Sequence, residues 1–179
     1  LALGPLTNIA HALRKNPHLG SQLREIVIMG GAFNVPGNIT QAAEFNVYND
    51  PAAASFLFSA GIPITLIPLD VCELTYLAQV DLPWPVGSSK TILLAQRIVN
   101  GWFKNRTSLE RYYLCDPLAI VATVQPDIFS FVEADVKVHL SDDYLLGKTT
   151  AAYGKGTVKI ASQVNVSMAK NIMSGMLNT

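Results

Sequence analysis

The side chains best suited to chemistry lie in one stretch near the start of this sequence. Met29-Gly30-Gly31 directly follows the apolar run Ile26-Val27-Ile28. Two glycines after a buried strand allow a sharp turn and a close approach of the main chain to a ligand. Asn38, Glu44 and Asn46 come next. Amides donate and accept hydrogen bonds, whereas an ionised carboxylate only accepts. This mixture suits a small molecule with several hydroxyl groups, but it also suits a surface loop whose asparagines cap turns.

The spacing of Glu44 and Asn46 predicts that they face the same side. In an extended segment, residues two apart point the same way, and Phe45 between them points the opposite way. Ligands of open α/β sheets bind at the carboxyl ends of the strands, which is where this segment begins. We therefore expect Glu44 and Asn46 to face a ligand.

Asp116, between Cys115 and Pro117, is the second candidate. Aspartate before proline at a helix start is an ordinary N-cap, as Asp50 is expected to be, and the local sequence favours that role. The carboxylate could instead bind a metal ion at a helix N-terminus, or pair with Glu44 as the acid and base of a glycosidase. Cys115 could be a reactive thiol at the same terminus or a small buried apolar residue.

Other polar and aromatic residues give weaker signals. Tyr112-Tyr113 and Trp102 could stack on a planar base or simply pack, and Asp70 ends a predicted strand and needs a hydrogen-bond partner. The two cysteines provide no disulfide framework or zinc site. The histidines are scattered and predict surface or capping roles rather than a metal cluster: His11, His18 and His139.

The composition excludes several classes of protein. The chain has 179 residues, enough for one domain with a sizeable core. Half of the residues are hydrophobic and 15% are charged, which predicts a sheet buried on both faces, or surface covered by subunits or further chain. The net charge of zero and the lack of a basic run argue against nucleic acid or a membrane as partner. No apolar stretch reaches the length of a membrane helix, about 18 residues, and the start does not resemble a signal peptide. The two cysteines without a disulfide framework make a reducing cytosol the default, so we expect a cytoplasmic protein.

Strands and helices alternate along the first part of the chain, which predicts a parallel sheet covered by helices. The last two predicted strands alternate like an antiparallel pair, with turns at 142–143 and 154–156. A loop is predicted at 83–89, and no linker divides the chain, so 1–179 is expected to be a single domain. We predict helices at about 7–16, 51–61, 90–103, 117–125 and 167–177, and strands at about 1–4, 23–29, 63–69, 131–140 and 157–164.

Several short segments together resemble the inosine–uridine-preferring nucleoside hydrolases. They follow that family's order and spacing from Leu1 to about Ala122, with a weaker match through the final strands and helix. The segments are Leu3-Gly4-Pro5-Leu6-Thr7-Asn8-Ile9-Ala10, Met29-Gly30-Gly31-Ala32-Phe33, Pro36-Gly37-Asn38, Ala43-Glu44-Phe45-Asn46, Asp50-Pro51-Ala52-Ala53, Leu69-Asp70-Val71 and Asp116-Pro117-Leu118-Ala119. The resemblance implies a nucleoside-hydrolase-like α/β fold: a mostly parallel, Rossmann-like sheet covered by helices, with a C-terminal antiparallel hairpin. The chain would be the C-terminal portion of such a domain.

The resemblance also implies a reaction and a site. These enzymes hydrolyse the N-glycosidic bond of ribonucleosides and use a calcium ion. Asp116 matches a carboxylate ligand of that ion and a catalytic residue, and the backbone carbonyl of Leu3 matches a main-chain ligand. Relatives are usually homodimers or homotetramers. The positions that match the ribose pocket of the family are Met29, Asn38, Glu44, Phe45 and Asn46.

Two departures from the family affect these expectations. The aspartate cluster Asp-x-Asp-Pro-Gly-x-Asp-Asp, which supplies further calcium ligands and the catalytic base, is not among these residues. Calcium takes about 6–8 oxygens, so we expect the isolated 179 residues to be inactive and to bind calcium poorly. Cys115 stands where some relatives have a histidine that protonates the leaving base and others an aromatic residue. A thiol matches neither role, so the preference between purine and pyrimidine stays open.

Two further hypotheses compete with the hydrolase. One is a binding or assembly protein that keeps the fold without catalysis, which the missing aspartates favour. The other is a dinucleotide-binding domain, which would need a G-x-G-x-x-G after a strand, and this sequence lacks that motif.

Overall fold

The computed structural model describes residues 1–78, 90–105, 111–141 and 143–177. The loop predicted at 83–89 and residue 142 of a predicted turn lie outside these ranges. The helices within them are α1 (Thr7–Lys15), α2 (His18–Gln22), α3 (Phe45–Asn49), α4 (Pro51–Phe58), α5 (Leu69–Cys72), α6 (Lys90–Asn105), α7 (Cys115–Val124) and α8 (Val166–Leu177). The strands are β1 (Ile26–Met29), β2 (Ile64–Ile67), β3 (Tyr76–Leu77), β4 (Tyr112–Tyr113), β5 (Phe129–Val138), β6 (Thr149–Tyr153) and β7 (Val158–Val164).

Five strands form a mixed sheet in the order β1-β2-β7-β5-β6. β1, β2 and β7 are parallel, and β5 runs antiparallel to β7 and β6 on either side of it. The predicted α/β fold is thus confirmed, including the antiparallel pairing of the last two predicted strands. Between those two strands in the chain lies a further strand, β6, which pairs antiparallel with β5 and was not predicted from the sequence. Its short, alanine-containing sequence gives little strand signal. β3 and β4 form a separate two-stranded sheet.

Helices cover both faces of the sheet, as the apolar composition predicts. Ile28 and Leu66 pack in one cluster with apolar residues of α1 and α4. Val27 and Ile67 pack in a second cluster with apolar residues of α7 and α8. Alternate residues of a strand point to opposite faces, so β1 and β2 bury all their residues. Burial of each large aliphatic side chain stabilises the fold by about 1.5–3 kcal/mol.

The two helices predicted to begin at Asp-Pro pairs begin differently. The Asp50 side chain accepts a hydrogen bond from the Ala53 N–H at 2.9 Å, and α4 starts at the next residue, a proline, so this predicted N-cap is confirmed. Helix α7 already begins at Cys115, and Asp116 lies within its first turn without capping it. The prediction that Asp116 is an N-cap was wrong. The Leu114 N–H donates to the Thr75 carbonyl at 2.9 Å, and this tertiary contact fixes the entry to the helix.

The start of the chain joins the free edge of β1. The Ala2 N–H donates to the Val27 carbonyl at 2.8 Å, and the Met29 N–H donates to the Ala2 carbonyl at 2.9 Å. The predicted strand at 1–4 is therefore a single parallel bridge, between Ala2 and Ile28. This register carries Leu3 to the carboxyl end of β1. In the part of the chain that the structure describes, no helix is long and apolar enough to cross a membrane.

Candidate functional site

The glycine turn after β1 is held at the carboxyl ends of the strands by the neighbouring segments. The Gly30 N–H donates to the Ile67 carbonyl at 3.1 Å, and the Gly31 carbonyl accepts from the Leu69 N–H at 2.9 Å. Gly31 has a φ of +82°, a conformation that glycine adopts without steric cost. The buried Thr149 hydroxyl accepts from the Ala32 N–H at 3.0 Å and donates to the Ala32 carbonyl at 2.7 Å. The turn is therefore fixed from both β2 and β6.

The carboxylate of Glu44 holds this turn and the helix that follows. Its side chain is 1% exposed and accepts hydrogen bonds from the backbone N–H groups of Gly31 (3.2 Å), Asn46 (2.8 Å) and Val47 (3.1 Å). Glu44 is the N-cap of α3, so the predicted extended conformation of this segment was wrong. Glu44 and Asn46 are nevertheless both buried, and Phe45 is 47% exposed. The helical turn therefore places Glu44 and Asn46 on one side and Phe45 on the other, as the sequence predicts.

Charge and burial act together on the pKa of Glu44. Burial raises this pKa above its usual value, the three backbone N–H groups lower it, and the negative charge of Asp116 raises it further. Asp116 is 72 residues away in the sequence. Helix α7 packs in the same apolar cluster as Met29 at the end of β1, so the fold brings the Asp116 charge near enough to act on the pKa of Glu44.

Asn46 is oriented by the end of β1. Its Nδ2 donates to the Met29 carbonyl at 3.1 Å and lies 3.3 Å from the Met29 sulfur. Both side chains are buried. Among the described residues, no donor is bonded to Asn46 Oδ1. Asn46 therefore offers a hydrogen-bond acceptor at the carboxyl end of β1.

Asn38 and Asp70 shape the loop between the turn and α3. Asn38 Oδ1 accepts from the Phe45 N–H at 2.8 Å and so helps to start α3. Asp70 accepts from the backbone N–H groups of Phe33 (3.0 Å) and Asn34 (2.8 Å), and from Asn34 Nδ2 at 2.9 Å. The role that the sequence leaves open for Asp70 is therefore to position this loop. Thr149 has a similar role, but no local pattern links it to a turn 117 residues earlier.

Asp116 presents a carboxylate that accepts no hydrogen bond within the described part of the chain. Asp116 is an exposed residue, yet partial desolvation raises the pKa of its carboxyl group. The Leu3 carbonyl likewise accepts no hydrogen bond from a described residue. Carboxylate and carbonyl oxygens are the donors that calcium prefers, so the chemistry of both fits this ion. No group of three or more His, Cys, Asp or Glu side chains that could hold a metal occurs in the described ranges.

Cysteines and aromatic residues lie beside Asp116. The neighbouring Cys115 side chain, together with burial, raises the pKa of Cys72 well above its usual value. Burial raises the pKa of Tyr112, and the charge of Asp116 adds to the rise. The rings of Trp102 and Tyr112 meet edge to face with centroids 5.1 Å apart. At least part of the surface of Trp102 and Tyr112 is therefore used in packing these rings against each other rather than in stacking on a nucleobase.

The three histidines take no part in the contacts described above. His11 and His18 are exposed, and His139 pairs with Asp143 at 3.0 Å in the β5–β6 connection. A cavity of about 460 Å³ lies near Arg14 and Ile62, before the amino end of β2. It is at the other end of the strands from Glu44, so the strand ends and not this cavity form the candidate site.

The fold and the site define a doubly wound α/β protein with oxygen donors and acceptors at the carboxyl ends of its parallel strands. The chain belongs to the inosine-uridine preferring nucleoside hydrolase family, whose family model matches residues 1–172. It is 37% identical over 143 residues to uridine nucleosidase 1 of Arabidopsis thaliana, an alignment that covers 77% of this chain and 42% of that protein.

Other relatives carry names that refer to either class of base. The chain is 34% identical over 160 residues to the pyrimidine-specific ribonucleoside hydrolase RihA of Salmonella schwarzengrund, which covers 86% of this chain and 50% of that protein. The structure of the purine-preferring ribonucleoside hydrolase of Gardnerella vaginalis superposes with a TM-score of 0.86 at 29% identity, over 98% of this chain and 58% of that one. The chain thus spans about half the length of these relatives.

Proposed function

We propose that this chain forms the ribose-binding part, and some of the calcium-binding part, of an enzyme that hydrolyses ribonucleosides to free base and ribose. One observation carries the proposal: Glu44 and Asn46 are buried together at the end of β1, and Asp116 lies close enough to raise the pKa of Glu44. The family supplies the reaction class, and two of its relatives are named uridine nucleosidase and pyrimidine-specific ribonucleoside hydrolase.

The polar groups at the end of β1 suit the hydroxyls of a ribose. An ionised Glu44 accepts hydrogen bonds only, and the free acceptor of Asn46 can receive a second hydroxyl. Because Met29 and the backbone of α3 hold both side chains, little side-chain freedom is lost when a sugar binds. Asn38 and the exposed Phe45 lie at the outer side of the same segment, where they would border the sugar. Such contacts promote catalysis when they strengthen as the ring approaches the transition state.

Asp116 and the Leu3 carbonyl would hold calcium, which when bound supplies a site that acidifies water for attack on the sugar. Two oxygens fall short of the 6–8 that calcium takes. We propose that the other carboxylates and the proton acceptor come from residues outside these 179, in keeping with the greater length of the relatives. The 179 residues by themselves would then be inactive.

We also propose a cytoplasmic homodimer or homotetramer. Leu93, Leu94 and Ile98 of α6 are 46%, 58% and 59% exposed. Apolar side chains that cluster on one helix surface are typical of contacts between subunits. Two free cysteines, one of them buried, fit a reducing compartment.

The decisive experiment measures release of free base from uridine and inosine by the full-length protein that contains this sequence. We expect release with calcium and none with a chelator. Asp116→Asn should lower kcat/KM by at least about 100-fold, the scale of losing one electrostatic group in a site. Asp127→Asn, which removes the same charge from the exposed turn after α7, should change it less than about two-fold.

The alternative, a binding protein without catalysis, predicts a different result in the same protein. Calorimetry would detect binding of a nucleoside, but no base would appear under any condition. If Asp116→Asn releases free base as fast as the wild type, the assigned site is contradicted even if the protein is a hydrolase.

A further inference from the structure

Two cysteines distant in sequence pack in one apolar cluster next to the candidate site. Cys72 is the last residue of α5 and fully buried, and Cys115 is the first residue of α7 and half-buried. Their main chains are linked through Thr75, whose N–H donates to the Cys72 carbonyl and whose carbonyl accepts from Leu114, both at 2.9 Å. The pairing of Tyr76 with Tyr113 extends this link. The Cys115 side chain packs against the same apolar cluster that buries Cys72.

We propose that Cys72 and Cys115 form a reversible intramolecular disulfide when the protein meets a peroxide. Nothing in their sequence spacing indicates a pair, because 42 residues separate them. A disulfide needs the two Cβ atoms about 3.5–4.5 Å apart. The backbone link through Thr75 holds the two cysteines on adjacent segments that pack in one cluster, so side-chain rotation there can bring the sulfurs together. The 179 residues contain no third cysteine to compete.

The oxidation balances with hydrogen peroxide as the only co-reactant. The more accessible Cys115 sulfur attacks one peroxide oxygen, the O–O bond breaks, and a sulfenic acid and one water form. The Cys72 sulfur then attacks the Cys115 sulfur, the S–O bond breaks, and a second water leaves with the thiol proton. Two electrons pass from the two sulfurs to the peroxide. A dithiol such as dithiothreitol reverses the change by thiol–disulfide exchange.

The bond would tie together two elements that position the site. Asp70, which holds the loop at Phe33 and Asn34, lies two residues before Cys72 in α5. Asp116 directly follows Cys115 in α7. A new covalent link between α5 and α7 therefore restrains both, and we expect oxidation to lower hydrolysis reversibly. This last step rests on the proposed function, whereas formation of the disulfide does not.

The test uses the full-length protein, treated with hydrogen peroxide and digested with trypsin without reductant. Trypsin leaves Cys72 in the peptide 25–90 and Cys115 in the peptide 112–137. We expect these two peptides to be joined, 2 Da lighter than their sum, and to separate with dithiothreitol. Cys72→Ala should give no joined peptide, and in this variant Cys115 should instead be trapped by a sulfenic-acid reagent. Cys115→Ser provides a second variant that cannot form the link.

The outcomes are distinguishable. Two results would overturn the disulfide. In the first, Cys115 is oxidised to sulfinic acid while Cys72 can still be alkylated after unfolding. In the second, both thiols are lost completely and no joined peptide is found. If the joined peptide forms and hydrolysis falls at least five-fold in the wild type but not in Cys72→Ala, the coupling to the site is supported. Joined peptides with unchanged hydrolysis would refute that coupling. If even the reduced protein hydrolyses no nucleoside, the proposed function fails while the disulfide stands.

Discussion

At the scale of single residues, Glu44 combines a structural role with the role proposed for it in ribose binding. Its carboxylate accepts three backbone N–H groups, from the glycine turn and from the first turn of α3. A buried carboxylate without such partners would be strongly unfavourable. Even with them, burial and the nearby charge of Asp116 leave its pKa raised. The same group that orders the site therefore carries an electrostatic cost when it is ionised.

This cost predicts how stability changes with pH. Because the folded pKa of Glu44 lies above the usual 4.5, the folded protein binds more protons than the unfolded chain between these two values. The contribution of Glu44 to stability is therefore fully present below pH 4.5 and is lost as pH rises through the folded pKa. As pH rises through this window, we expect the free energy of unfolding of the wild type to fall relative to that of Glu44→Gln. The total fall should be about 1.4 kcal/mol for each unit by which the folded pKa exceeds the usual value.

Urea unfolding of both proteins from pH 4 to 8, with chelator present, measures this difference. Subtracting the variant at each pH removes the titration of the other groups. A difference that rises with pH would show that the backbone hydrogen bonds, and not burial, dominate the pKa of Glu44.

Asn46 gives a second prediction at this scale. If its Oδ1 binds a ribose hydroxyl more strongly as the sugar distorts, Asn46→Ala should lower kcat as well as raise KM, with kcat/KM down about 10–100-fold, or about 1.4–2.7 kcal/mol. Asn49→Ala is the matched control. Asn49 lies in the same short helix, but its side chain is exposed and, within the described ranges, bonds only to the Phe45 carbonyl. Steady-state kinetics with normal kcat in Asn46→Ala would contradict the proposed contact.

At the scale of elements, the loop between β1 and α3 is the part of the fold that creates the site. Side chains from other elements hold it: Asp70 at the start of α5 and Thr149 in β6. The loop also folds closely on itself near Gly37, where an added Cβ would lie only 2.0 Å from the Ala43 carbonyl oxygen. Such an approach admits only glycine.

Gly37→Ala should therefore displace the loop. The backbone oxygen cannot move away without disturbing the segment that leads to Glu44, so we expect a loss of stability of about 1–3 kcal/mol and weaker binding of nucleoside. Gly101→Ala in α6 is the control, because an added Cβ there meets nothing within 4 Å and alanine favours a helix by up to about 1 kcal/mol over glycine. Thermal unfolding of both variants compares them, and equal stability would show that the loop relaxes freely.

At the scale of the whole molecule, burial of β1 and β2 on both faces keeps the strand ends in place. The apolar cluster with α1 and α4 and the cluster with α7 and α8 are separated by the sheet. Since α7 packs in the second cluster, the position of Asp116 depends on apolar contacts rather than on a local cap. The geometry of the site is therefore a property of the packed sheet.

The central strands should be correspondingly sensitive to cavities. Leu66 of β2 is fully buried, and Leu66→Ala should lower the free energy of unfolding by about 2–5 kcal/mol. Leu140 follows β5 and is 52% exposed, so Leu140→Ala should change it by less than about 0.5 kcal/mol. Urea unfolding measures both, and similar losses in the two variants would contradict the placement of the core.

The sequence by itself determined the class of fold and most of the candidate residues. Alternating apolar runs and helix signals predict the parallel sheet and its helices, because periodicity and capping are local properties of the chain. The Asp50-Pro51 start of α4 follows the same local rule, and it is confirmed. The segments shared with the nucleoside hydrolases identified the family, which the family model confirms over residues 1–172.

Only the tertiary structure decided how those residues are used. The first turn of α7 at Cys115, the helical conformation after Glu44, the place of β7 between β2 and β5, and the contact of Cys72 with Cys115 all depend on partners far away in the chain. Local preferences for helix or strand differ by about 1 kcal/mol or less per residue. A buried carboxylate with three hydrogen bonds, or a packed helix, changes the free energy by several times that amount. Long-range contacts therefore override local signals where the two disagree, and at this site they do so beside Glu44 and Asp116.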